Sequence, residues 1–143
     1  MKKLSVIFII TIGALFAGCK HDAASSVNPL IGCWRSESTT VSQQSGGIYY
    51  DVFIFEDVRV YEFYLHQNSI QYIKNVPLDD TYWRDYTLYD DKFVIHYISE
   101  AGVTINVDIA YAFSGGTLIL TFPQSIADSK WNGTRTIAYV NVP

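Results

Sequence analysis

From residue 30 onward, apolar and polar side chains alternate with period two, and no stretch of eleven or more residues places apolar positions at i, i+3, i+4 and i+7. Period two is the mark of a strand with one buried and one wet face. The clearest case is 103–113, where Val103, Ile105, Val107, Ile109, Tyr111 and Phe113 share one side, and Thr104, Asn106, Asp108, Ala110 and Ala112 the other. Ser114-Gly115-Gly116 then supplies the positive-φ positions of a tight turn, and 117–122 returns with Leu118, Leu120 and Phe122 facing inward. Upstream, the pattern predicts strands over 82–89 and 92–99 about Asp90-Asp91, and over 59–66 and 69–75 about Gln67-Asn68. Two earlier strands, 30–37 and 48–56, flank the polar loop 38–47, and a loop over 123–133 leads to a last strand at 134–142. The domain is therefore all-β, an antiparallel meander of eight to nine strands, either an up-and-down barrel or a two-sheet sandwich. The barrel is preferred, because closure removes the exposed edges that a meander otherwise leaves.

Residues 1–18 follow a different rule: Lys2-Lys3 precede an apolar run from Leu4 to Phe16, and small residues lead to Cys19. A charged start, an apolar centre and small residues before the cut read as a signal peptide. About 13 apolar residues are too few for the ~20 that span a bilayer core. Leu15-Phe16-Ala17-Gly18-Cys19 resembles the lipobox of bacterial lipoproteins, with Phe16 where leucine is commonest. The resemblance implies acylation of Cys19 and a lipid-anchored protein of the bacterial cell envelope, with outer-membrane sorting favoured by Lys20 and the absence of aspartate there. An ordinary secretory signal is the other reading. Residues 19–29, short, polar and Ser/Ala-rich, read as a flexible tether, and residues 30–143 as the barrel domain.

Without residues 1–18 the chain keeps eight basic and fourteen acidic side chains, a net charge of −6. Such a surface suits neither nucleic acid nor anionic headgroups. Membrane attachment then rests on acyl chains, of which more than one is needed for a stable hold. With Cys19 claimed by lipid, Cys33 has no intramolecular partner, so a disulfide framework is excluded; it reads as a small, partly buried hydrophobe.

Leu30-Ile31-Gly32-Cys33-Trp34 resembles the opening strand of lipocalin-type barrels, which carries Gly-x-Trp. The resemblance implies that Trp34 plugs the closed end and that Arg135, on the last strand, lies across it as a barrel-closing pair; a planar guanidinium suits an indole face. More broadly, the chain is similar to the short lipocalin-like lipoproteins common in Bacteroidota. The matching elements, in order, are Leu-x-Gly-x-Trp, Tyr61-Glu62-Phe63, Tyr86-Thr87-Leu88 and the hairpin from Gly116 to Leu120. It lacks the Thr-Asp-Tyr element of true lipocalins and is shorter.

Catalytic chemistry is hard to find in the sequence. His66 and His96 stand apart, no cluster has zinc or calcium loop spacing, and neither a nucleophile elbow nor a Gly-rich phosphate loop occurs. Asp79-Asp80 and Asp90-Asp91 sit at predicted turns, where aspartate accepts backbone hydrogen bonds. Asn132-Gly133-Thr134 matches a glycosylation sequon but reads better as a turn. No cofactor, metal or enzymatic activity is expected. The candidates are aromatic: Trp34, Phe63, Tyr86, Phe93, Tyr97, Tyr111, Phe113, Phe122 and Tyr139 project to the inner face, where they either fill the barrel or line a pocket for a small, mostly apolar ligand. A second set, Tyr49, Tyr50, Tyr64, Tyr72, Trp83 and Tyr89, is expected outside or near it, where rings interleaved with acids suit an envelope protein or a glycan.

Overall fold

The computed structural model describes residues 27–42, 44–123 and 135–143. Nine strands run through them: β1 (Gly32–Ser36), β2 (Thr40–Val41), β3 (Ile48–Phe55), β4 (Arg59–His66), β5 (Arg84–Leu88), β6 (Lys92–Ile98), β7 (Thr104–Ser114), β8 (Thr117–Phe122) and β9 (Arg135–Val142). From β3 to β9 each strand pairs antiparallel with the next, and β1 pairs with β9 on one side and β3 on the other. Those eight strands close into a barrel, while the two-residue β2 is an extra strand beside β3. The sandwich alternative is thereby excluded, and every long strand has both its edges paired.

Alternation held best where a strand has one wet face. In the β7–β8 hairpin Ser114 pairs with Thr117, and Gly115 and Gly116 take φ of 58° and 84°, the two left-handed positions of a type I′ turn. Inward residues of the eight strands form the main core, in which Phe53, Phe55, Phe93, Leu118, Leu120 and Tyr139 are almost wholly buried. At one end the chain crosses the lumen. Leu30 is fully buried there, its carbonyl accepts a hydrogen bond of 2.8 Å from the Trp34 indole N–H, and the Trp34 ring packs against Phe113. Asn28 fixes the crossing: its Oδ1 accepts from the Leu30 N–H, and its amide donates to the Tyr86 hydroxyl, which itself donates to the Glu56 carbonyl. The folded domain thus begins by Asn28, inside the stretch expected as tether.

A second cluster lies on the outer wall. Val52 of β3, Leu65 of β4 and Ile73 are buried together, with Cys33, Tyr50, Phe63 and Ile70 against them. Ile70 and Ile73 come from a 3₁₀ helix, Gln67–Asn75, where the pattern predicted a strand over 69–75. The three-residue spacing of these isoleucines is the 3₁₀ repeat, and it lays both on the barrel wall. His66 starts the helix, its Nδ1 accepting from the Asn68 N–H at 3.2 Å. A short 3₁₀ turn, Asp80–Tyr82, precedes β5 and is capped by Asp79, whose Oδ1 accepts from the Thr81 N–H at 2.9 Å. Among the described residues no helix is long and apolar enough to cross a membrane, which says nothing of strands. Residues 1–18, Cys19, most of the tether and the sequon at Asn132 lie outside the described residues.

Candidate functional site

The end of the barrel opposite Leu30 and Trp34 is built differently. Residues facing one another across an antiparallel pair share a face. Asp51 stands opposite Tyr64, Glu62 opposite Phe53, Ser36 opposite Tyr139 and Arg135 opposite Phe122. Phe53 and Tyr139 belong to the lumen core, so Asp51, Glu62, Tyr64, Ser36 and Arg135 face the lumen as well. Five polar side chains from β1, β3, β4 and β9 therefore meet inside one mouth of the barrel.

Asp51 is the anchor of this group. It is 3% exposed, its Oδ2 accepts a hydrogen bond of 2.6 Å from the Tyr139 hydroxyl, and its backbone N–H donates to Ser36 Oγ at 3.0 Å. Ser36 in turn donates to the Ser38 carbonyl at 2.7 Å. Asp51 Oδ1 has no hydrogen-bond partner, although the Val52 backbone N–H lies near enough to the carboxylate to favour its charge. The side chain beside it is Glu62, a carboxyl group that can donate to Asp51 only when protonated. Glu62 keeps exposed surface, while its carboxyl is crowded by neighbouring groups. Enclosure comes first in pushing its carboxyl up to about 8; the charge of Asp51 and the hydrogen bond between the two acids add to the rise, and Arg135 opposes it. At neutral pH Glu62 is therefore mostly protonated and can hold its proton toward Asp51. Burial likewise raises Asp51 itself, against the hydrogen bond from Tyr139.

Arg135 closes the polar group. Its guanidinium lies 5.3 Å from the centre of the Phe122 ring and stands near the Tyr64 hydroxyl and both acids. Tyr97 joins from β6: burial raises its hydroxyl, and the charge of Glu62 raises it further. Arg84, on the rim, sits 5.8 Å from the Tyr97 ring centre and is tied to the Thr81 and Trp83 carbonyls. The remaining wall is apolar. Ile105, opposite Tyr97, faces the lumen and is still 47% exposed; Val107, Phe122 and Ile137 are half-buried. These inward side chains keep accessible surface, whereas Phe93 and Leu118 are fully buried.

This placement corrects two expectations. Arg135 does not lie across Trp34. Trp34 pairs with Asn141, six residues further along β9, which is about 20 Å of extended strand and beyond the reach of an arginine side chain. Phe63 is not in the lumen: it packs in the outer cluster and edge-on to Tyr61, because the 3₁₀ helix makes the outer face of β4 apolar too. Of the other inner candidates, Trp34, Tyr86, Phe93 and Tyr139 are in the main core, with Tyr97, Tyr111 and Phe122 packed against it. Phe113 touches Trp34 and Tyr111 at the closed end and is 42% exposed. The second aromatic set divides. Tyr49 and Tyr64 are on the lumen face of their strands, Tyr50 covers the outer cluster, Trp83 packs on Tyr61 beneath Arg59, and Tyr72 and Tyr89 are exposed.

The other titratable groups have local roles. His96 lies on the outer wall between Thr87 Oγ1 and Asn106 Oδ1, at 2.8 and 2.7 Å. Cys33 is half-buried, and burial pushes its thiol up, with Lys74 opposing. Among the described residues no three His, Cys, Asp or Glu side chains are grouped to hold a metal ion. The acid pair at Asp51 and Glu62 was not among the sequence candidates; the available signal was the parity of Asp51, Phe53 and Phe55, which puts a carboxylate on the same face as two core phenylalanines. The chain matches no protein-family model, no curated protein and no solved structure.

Proposed function

We propose that this protein is a lipocalin-like lipoprotein of the bacterial envelope that binds a small, mostly apolar ligand in the open mouth of its barrel. The observation that carries the reading is the accessible surface kept by the lumen-facing Ile105, Val107, Tyr97, Phe122 and Ile137 at the end of the barrel opposite Leu30 and Trp34. An apolar wall with a few convergent polar groups is the ordinary make-up of a small-molecule site. No enzymatic step is assigned to it. Anchoring rests on the resemblance of residues 15–19 to a lipobox, with acyl chains on Cys19.

Native mass spectrometry of protein taken from its own membrane tests the binding reading: a small molecule that is retained by the wild type and lost in Tyr97→Ala supports it. A bare wild-type mass, together with no uptake of an added apolar dye, refutes it. Labelling by radioactive palmitate that disappears in Cys19→Ser supports the anchor, and an unlabelled wild type refutes it. A second reading, an outer surface that contacts a protein or a glycan, draws on Tyr72, Tyr82 and Tyr89, each at least half exposed.

A further inference from the structure

Resting on the reading of the mouth as a ligand site, we propose that its polar end recognises a protonated amine: the ligand's ammonium group sits against Asp51 and Glu62 while its apolar part lies along Phe122, Ile137 and Ile105. The need of the buried Asp51 carboxylate for a donor, met in the empty site only by the titratable proton of Glu62, carries the argument. Asp51 is held in the wall by Tyr139 and Ser36, is 3% exposed, faces the lumen, and has one carboxylate oxygen, Oδ1, without a donor of fixed proton. A buried acceptor without a donor is destabilising, so the position calls for an N–H or O–H from Glu62 or from a ligand.

Charge selects among ligands. Among the described residues, the charged or titratable groups facing the pair are Tyr64 of β4, Tyr97 of β6, and Arg135 and Tyr139 of β9, with Arg84 of β5 at the rim. Arg135 stands near Tyr64 and lies over the Phe122 ring. Among the described residues, Asp51 and Arg135 balance while Glu62 is protonated, and an ammonium that displaces the Glu62 proton keeps that balance, two carboxylates against one guanidinium and one ammonium. An anion would instead be set against the Asp51 carboxylate. The absence of a third ligating carboxylate, histidine or thiolate among the described residues favours an organic cation over a metal ion. In the empty site the proton on Glu62 fills the role that the ligand's N–H takes over. Binding of the ammonium therefore ionises Glu62: its O–H bond breaks, the electron pair stays on the carboxylate, and the proton leaves to solvent.

Calorimetry on the full-length protein at pH 7 tests this with three probes of equal chain length, hexylamine, hexanol and hexanoate, in two buffers of different ionisation enthalpy. Hexylamine is expected to bind at least ~10-fold more tightly than hexanol, since hydrogen bonds to a charged group supply that much, and to release about one proton on binding. Its affinity should rise from pH 6 to pH 8 as Glu62 gives up its proton more readily. Asp51→Asn should erase the preference for the amine and leave hexanol binding in place. Should that variant fail to fold by circular dichroism, Glu62→Gln serves: weaker amine binding without proton release supports the proposal, and unchanged affinity with unchanged release overturns it. Hexanol binding as tightly as hexylamine, or hexanoate binding most tightly, overturns the amine proposal and leaves the lumen reading standing. No binding by any of the three overturns both.

Discussion

At the scale of single residues, the mouth is an exchange between stability and an unfilled site. Tyr139 is the residue that makes a buried Asp51 tolerable. Tyr139→Phe keeps the ring and removes the donor to Oδ2, so it is expected to lower stability by about 1–3 kcal/mol in urea unfolding. Glu62 sets a pH dependence whose sign follows from its raised carboxyl. Folded protein holds an extra proton between the ordinary carboxylate range and about 8, so stability is greatest below that window and falls as pH rises through it. The rise at Asp51 acts in the same direction. The melting temperature should therefore be lower at pH 8 than at pH 5, and Glu62→Gln should remove most of that difference; an unchanged slope in the variant would place its origin elsewhere. Glu62 could not be singled out in the sequence, because in Tyr61-Glu62-Phe63 it looks like the wet position of an alternating strand, and for Asp51 only its parity with Phe53 and Phe55 spoke against the same reading. Only the closure of the barrel shows that those positions face a lumen.

At the scale of elements, legibility followed the number of apolar faces. The β7–β8 hairpin was readable to within a residue, since its outer face is polar and its turn needs two positive-φ glycines. In β3 and β4 both faces are apolar, one toward the lumen and one toward the 3₁₀ helix, and period two cannot tell them apart. That ambiguity misplaced Phe63. It also hid the helix itself, because Ser69 to Tyr72 alternates as a strand does before Ile73 breaks the pattern, and His66 caps the helix with its side chain. The helix seals the outer wall and contributes nothing to the mouth. Ile73→Ala should consequently lower stability by about 2–4 kcal/mol while leaving dye or ligand affinity unchanged. A loss of binding in that variant would mean that the two cores are not separable.

At the scale of the whole molecule, the two ends of the barrel have different tasks. Asn28 and Leu30 bring the chain in across the closed end, where Trp34 and Tyr86 hold it, and the acid-lined mouth opens at the other. On the proposed reading that Cys19 is acylated, the anchor precedes Asn28 and Leu30 in the chain, so the closed end is expected nearer the bilayer than the mouth. A fluorophore placed at Asp57, beside Asn28, should then be quenched by headgroup-labelled lipid more strongly than one at Ala101, in the turn between β6 and β7 near Tyr97 and Ile105. Equal quenching would contradict that orientation. The eight-stranded closure was foreseeable from alternation and the problem of open edges; which end is open was not, since it depends on which inward side chains fail to meet.

The most direct test of the account is a methyl NMR titration of isoleucine-labelled protein with hexylamine. Ile105 and Ile137, at the mouth, should shift in a saturable way, while Ile73, on the outer wall, stays fixed. Shifts confined to Ile73, or none at any isoleucine, would contradict a ligand site inside the barrel.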